Sequence, residues 1–184
     1  MSTSNFRQDL RRLKKSTHST SEFITEIISP GFLCILSYRI WSFFRKHKIP
    51  VFPIRLVCEK MVELLTSSSI PSNAQIGGGL RIQHFGQIMI HDSVTIGKNA
   101  TIYNGVTIGL KHDTDSQGPV LGDNVYVGTG AKILGAIKIG NNESIVANAV
   151  VLTDVPDNSL AVGIPARIIS RKSEEKDSCL PYSS

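Results

Sequence analysis

Three histidines, His84, His91 and His112, carry the side chains of this chain best suited to moving a proton at neutral pH, because imidazole titrates near neutrality. Their settings differ. His84 stands in Gln83-His84-Phe85-Gly86-Gln87, where a regular spacing of aliphatic residues slips by two positions. His112 lies in the polar stretch Leu110 to Pro119, where the same spacing slips by seven. His91 directly follows an aliphatic marker, at a corner expected to face solvent. A histidine beside an irregular turn can also be structural, held by local hydrogen bonds. Cys34, Cys58 and Cys179 are few and irregularly spaced, which suits reduced thiols and not a disulfide framework. No metal-ligand spacing appears, so no metal is expected.

The spacing that slips at these two places is a hexapeptide repeat. Its markers are Ile70, Ile76, Ile82, then Ile90, Ile96, Ile102, Ile108, then Leu121, Val127, Ile133, Ile139, Ile145 and Val151. A period of six fits neither an amphipathic helix nor an isolated strand, but it fits a parallel β-helix whose short faces each turn one side chain inward. Glycine follows the marker at Gly77, Gly97, Gly109, Gly122, Gly128 and Gly140, where a Cβ would be costly. Small or β-branched residues four places on, among them Ala74, Val94, Ala100, Val106, Val125, Ala131, Ala149 and Val155, are suited to a narrow interior. Three hexads close one triangular turn, which gives roughly four coils at about the 4.8 Å interstrand spacing. Interruptions of such a repeat are where function is grafted, which directs attention to His84 and to the loop Leu110 to Pro119 as a substrate lid.

The remainder of the chain is expected to hold these coils. The division is a helical region over 1–69, the β-helix over 70–169 and a flexible tail over 170–184, the whole being mainly β with an N-terminal α-helical cap. Helices are expected over 5–18, basic and exposed, over 22–48 and over 51–67, with Ile49-Pro50 as the break. Residues 1–60 hold eleven Lys or Arg against Asp9, Glu22, Glu26 and Glu59, an excess that more than accounts for the chain's net charge of +5. That basic region reads either as solvated cap helices that bind sister subunits or as a peripheral membrane contact through 31–60. Sparse aromatics and a near-neutral repeat argue against nucleic acid. The polar, basic first residues lack the apolar core of a secretion signal, and Gly31 to Phe44, interrupted by Arg39, is too short to span a bilayer. A cytoplasmic protein, at most at the inner face of the membrane, is the expectation.

Taken together, Gln83-His84, Val106-Thr107-Ile108-Gly109, the loop ending in Pro119, Gly130-Ala131-Lys132-Ile133-Leu134-Gly135, the closing Gly163-Ile164-Pro165-Ala166-Arg167 and, upstream, Tyr38-Arg39-Ile40 resemble the serine acetyltransferase family of hexapeptide acyltransferases. The resemblance implies a left-handed coil, a homotrimer or a dimer of trimers with active sites between subunits, and transfer of acetyl from acetyl-CoA to a hydroxyl. It assigns His84 as general base, since an alcohol is a poor nucleophile until its proton is removed. Gln83, Asp92, His112 and Gln117 fall where the acceptor would lie. Gly109, Thr129 and Ala147 fall along the donor's pantetheine arm, and Lys132, Arg167 and Lys172 are cations for its phosphates.

Departures from the pattern bear on the acceptor. Ser69 stands where the family has an aspartate that orients the histidine, Gln83 replaces an acidic residue, and Gln117-Gly118 replaces an arginine and histidine pair. Loss of those charges favours a neutral polyol, so a sugar hydroxyl of a surface polysaccharide is the first choice and serine the runner-up. A backbone carbonyl or Asp92 would then have to orient His84. A non-catalytic β-helix assembly module is the alternative outside enzymes, and it gives no reason for His84 to stand where it does.

Overall fold

The computed structural model describes residues 2–170; the expected tail, with Lys172 and Cys179, lies outside the described residues apart from Ser170. Among the described residues four helices lead: α1 (Ser2–Ser16), α2 (Thr20–Ile28), α3 (Pro30–Lys46) and α4 (Phe52–Thr66). The single helix expected over 22–48 is two. Ser29 has an extended backbone, its hydroxyl accepts from the Phe32 N–H at 3.2 Å, and Pro30 opens α3 because it has no N–H to offer the preceding turn. The bend at this break is 62°. The break at Ile49-Pro50 stands as expected, with Pro53 in the first turn of α4.

Helix α1 is not the exposed element that its charge suggests. Asp9 and Leu13 are buried, and Asp9 accepts from Arg39 Nε at 2.8 Å and Nη2 at 3.2 Å and from the N–H groups of Gly79 and Leu80 at 2.7 and 2.9 Å. Burial pushes the Asp9 carboxyl above its ordinary range, against the pull of the Arg39 guanidinium and of those two N–H groups. Arg39 donates also to the carbonyls of Ile76 and Gly77, while the Tyr38 hydroxyl donates to Ala74 O at 2.8 Å and accepts from Ile76 N–H at 3.0 Å. Tyr38-Arg39 is thus a buried latch that fastens α1 and α3 to the first strands.

Among the described residues fourteen short strands follow and fall into three sheets. The first holds β1 (Gln75–Ile76), β4 (Thr95–Ile96), β7 (Val120–Leu121) and β10 (Lys138–Ile139). The second holds β2 (Arg81–Gln83), β5 (Thr101–Tyr103), β8 (Tyr126–Val127), β11 (Ser144–Ile145), β13 (Ser159–Val162) and β14 (Arg167–Ser170). The third holds β3 (Met89–Ile90), β6 (Thr107–Gly109), β9 (Lys132–Leu134) and β12 (Val150–Val151). Through β12 the chain visits the sheets in rotation, each strand pairing in parallel with the strand three further on, so marker lies over marker: Ile76 on Ile96 on Leu121, and Ile102 on Val127. Every marker from Ile76 onward is buried; Ile70 is half-buried, outside the strands. The parallel order was expected to run to Ile169, but β14 pairs antiparallel with β13, because Gly163, at φ 96°, and Pro165 reverse the chain.

The corners explain the glycines. A Cβ on Gly77 would lie 2.6 Å from the Gly97 carbonyl oxygen and 2.9 Å from Lys98 N, both backbone atoms of the next level that cannot swing aside. Gly77→Ala should therefore destabilise the fold by about 1–3 kcal/mol, measured by thermal or denaturant unfolding. Left-handed corners are taken by asparagine as well: Asn99, Asn124, Asn142 and Asn158 have φ of 57–59° and link amide to amide at 3.1, 3.0 and 3.3 Å up the stack.

Phe32, Cys34, Ile35 and Tyr38 of α3 are buried, and α3 packs on β2, whereas Leu33 and Ile40 of the same helix are exposed. Helix α4 carries a longer run of exposed apolar residues, Ile54, Val57, Met61, Leu64 and Leu65. No single helix among the described residues is long and apolar enough to cross a membrane, although α2 and α3 as a bent pair have the length and composition.

Candidate functional site

Strand β2 alternates in the ordinary way, with Ile82 turned inward and Arg81 and Gln83 outward. The chain then leaves the sheet through a widened corner: His84, Gly86 and Gln87 all have positive φ, at 51°, 113° and 55°. This is the physical form of the two-residue slip. The Gly86 carbonyl accepts from Gly105 N–H at 2.9 Å and Gln87 N–H donates to the Ser67 carbonyl at 2.7 Å, so the corner is pinned while His84 and Phe85 project into solvent. A left-handed histidine costs about 1–2 kcal/mol, and local strain of this kind gathers at functional sites.

The His84 ring lies 5.7 Å from the Tyr103 ring at 49°, and Tyr103 lies 5.2 Å from Tyr126. With its amide oriented to satisfy both neighbours, the Gln83 oxygen accepts from Arg81 Nε at 3.1 Å and Nη2 at 2.6 Å and its nitrogen donates to the Tyr103 hydroxyl. Among the described residues no side chain hydrogen-bonds to the His84 ring. Ser69 is engaged through its backbone with Ile88 and Ile90, and Asp92 lies 3.1 Å from Nδ1 of His91, so neither orients His84 within the subunit.

Beside His84 opens a crevice of about 680 Å³ between the helices and β2, whose lining includes Arg12, Lys15, Glu26, Arg81, Gln83 and His84. It is charged, contrary to the neutral environment expected from Gln83 and Gln117. Arg81 was legible as the outward neighbour of Gln83 two residues away; Arg12 and Glu26 come from α1 and α2, and no local pattern announces them. Arg12 is anchored by the carbonyls of Gly79 and Ala100 and by Thr101 Oγ1, the last two at 2.8 and 2.7 Å. Burial and the neighbouring Arg81 push its guanidinium down to about 10, against the opposing pull of Asp9.

The other sequence candidates divide by corner. Thr129 and Ala147 follow β8 and β11 at the corner where His84 follows β2, two and three levels along the stack. Gly109 ends β6 at the next corner, beside His91, and the loop Leu110 to Pro119 leaves from there, with His112 and Gln117 exposed. Within one subunit the loop is therefore not a lid over its own His84. Lys132 is tied by Nζ to the Gly105 carbonyl, and Arg167 is exposed in the terminal hairpin. Among the described residues no cluster of His, Cys, Asp or Glu has the makings of a metal site.

The chain is 35% identical over 162 residues to a serine acetyltransferase of Helicobacter pylori, a match that covers 88% of this chain and 94% of that one. It is 38% identical over 149 residues to a serine acetyltransferase of Synechococcus elongatus, covering 80% of this chain but only 60% of the longer relative. Solved structures agree. The serine acetyltransferase of Neisseria gonorrhoeae in complex with serine superposes with a TM-score of 0.82 at 26% identity, over 92% of this chain and 69% of that one. The Brucella abortus serine acetyltransferase in complex with coenzyme A gives 0.82 at 27% identity, over 93% and 68%. No family profile matches the chain.

Proposed function

The chain belongs to the serine acetyltransferase family of acetyl-CoA-dependent acyltransferases, and from that premise we propose that it acetylates the hydroxyl of L-serine, with His84 as general base. The observation that carries this reading is the exposed His84 imidazole at the mouth of a crevice holding both a carboxylate, Glu26, and guanidinium groups. A sugar hydroxyl, the first choice on sequence, draws no support from the relatives; the charged lining suits the zwitterion that was the runner-up. The coil takes the left-handed winding implied by the resemblance, and the helices cap its first level.

In the reaction His84 takes the proton of the hydroxyl as the oxygen attacks the thioester carbonyl. The C–O bond forms, the tetrahedral oxyanion collapses, the C–S bond breaks, and the imidazolium returns the proton to the departing thiolate. The donor lies along the corner column of His84, Thr129 and Ala147, with its thioester end at His84. A neighbouring subunit supplies Asp92, His112 and Gln117 from its own loop corner, because those residues leave a subunit away from its His84. The assembly we propose is a trimer, single or paired, and light scattering should give a mass near three or six times 20.1 kDa.

Acceptor and mechanism are tested together by CoA release from acetyl-CoA with L-serine beside a panel of sugars and glycan fragments. His84-dependent release with serine is expected. Release with a glycan alone would overturn serine as the acceptor.

A further inference from the structure

We infer that Arg81, held by Gln83 and reinforced by Arg12, is an anion-recognition point in the crevice and selects a hydroxylic acceptor that carries a carboxylate. This deepens the preceding reading and rests on the crevice being the acceptor site.

Gln83 engages Nε and Nη2 of Arg81, which fixes the plane of the guanidinium, and Nη1 has no hydrogen-bond partner among the described residues. An amide does this without neutralising the charge; a carboxylate at position 83 would make an ion pair and leave little charge for a ligand. Arg12, close enough for its charge to oppose that of Arg81, is held in place by two carbonyls and a hydroxyl, which orient it without cancelling it. Lys15 and His18 line the same crevice. None of the ion pairs among the described residues includes Arg12, Lys15, Arg81 or Glu26. Apart from the longer-range pull of Asp9 on Arg12, neither half-buried guanidinium is paired with a carboxylate, and holding the two together is costly unless an anion enters. A carboxylate matches the planar fork of Arg81, and Glu26 in the same crevice stands ready for an ammonium.

The test uses the full chain and matched ligand pairs that differ at the carboxyl: L-serine with L-serinamide, and D-glucuronate with D-glucose. Each pair is scored by CoA release from acetyl-CoA and by ligand-observed NMR binding. The wild type should prefer the acid of a pair, chiefly through KM, and Arg81→Met should lower that preference by about tenfold to a hundredfold, the usual effect of losing a hydrogen bond to a charged group. Arg81→Lys should keep part of it, because the charge remains and the fork is lost. An Arg81-dependent preference for glucuronate with no turnover of serine would sink serine as the acceptor and support the anion site. Equal handling of acid and neutral partner by the wild type, or an undiminished preference in Arg81→Met, would overturn the site itself.

Discussion

Substituting alanine for His84 should lower kcat by about 10²- to 10⁴-fold, the range that a positioned general base supplies, while acetyl-CoA affinity and assembly hold. The expectation follows from where the ring sits. His84 is exposed and packs into no core; its ring contact is with Tyr103, and the corner is pinned by backbone bonds of Gly86 and Gln87 that alanine leaves in place. The one structural cost is conformational, because φ at His84 is 51°. His84→Asn removes that ambiguity, since asparagine accepts the left-handed region and offers no base. Both variants should lose turnover alike, measured by steady-state CoA release, with calorimetric acetyl-CoA affinity as the control. Turnover preserved in either variant would remove His84 from the mechanism. Among the described residues no side chain hydrogen-bonds to the imidazole, whose one ring contact is with Tyr103 at 5.7 Å.

What the sequence discloses about this molecule depends on how far a residue's partner lies from it along the chain. The hexads were readable because each short face turns one residue inward, and Ile76 to Val151 do so without exception. The two slips marked a widened corner and an extruded loop for the same reason. The asparagine ladder was missed because a left-handed asparagine looks like any other polar residue until its neighbour one level up is known. Ser29-Pro30 carried the signal to divide the second helix, but it stood inside a mostly apolar stretch that reads as continuous. The crevice was misjudged because its charges come from three separate segments, α1, α2 and β2, and only Arg81 was close enough to Gln83 for strand alternation to connect them. Which His84 the loop can reach was not legible, because adjacency along a coil is not adjacency at a corner: β2 and β6 of one subunit end at different ones.

The second large effect concerns stability, and it shows how the helices are bound to the site. Asp9→Ala should destabilise the protein by about 3–5 kcal/mol, because it leaves the Arg39 guanidinium buried without its counter-charge. It also strips an acceptor from the buried N–H groups of Gly79 and Leu80. For a chain of this size that corresponds to a fall in Tm of roughly 10 °C. The double replacement Asp9→Leu with Arg39→Met should recover part of the loss, since an apolar pair needs no counter-charge; its non-additivity with the single variants measures the coupling directly. A Tm unchanged in Asp9→Ala would mean that α1 is held by other contacts. The same substitution should reach function through a definite route: Arg12 and Lys15 lie on α1 one and two turns beyond Asp9, and both line the crevice beside His84. Loosening α1 should therefore raise KM for the acceptor more than it lowers kcat, whereas loss of the base at His84 should do the reverse.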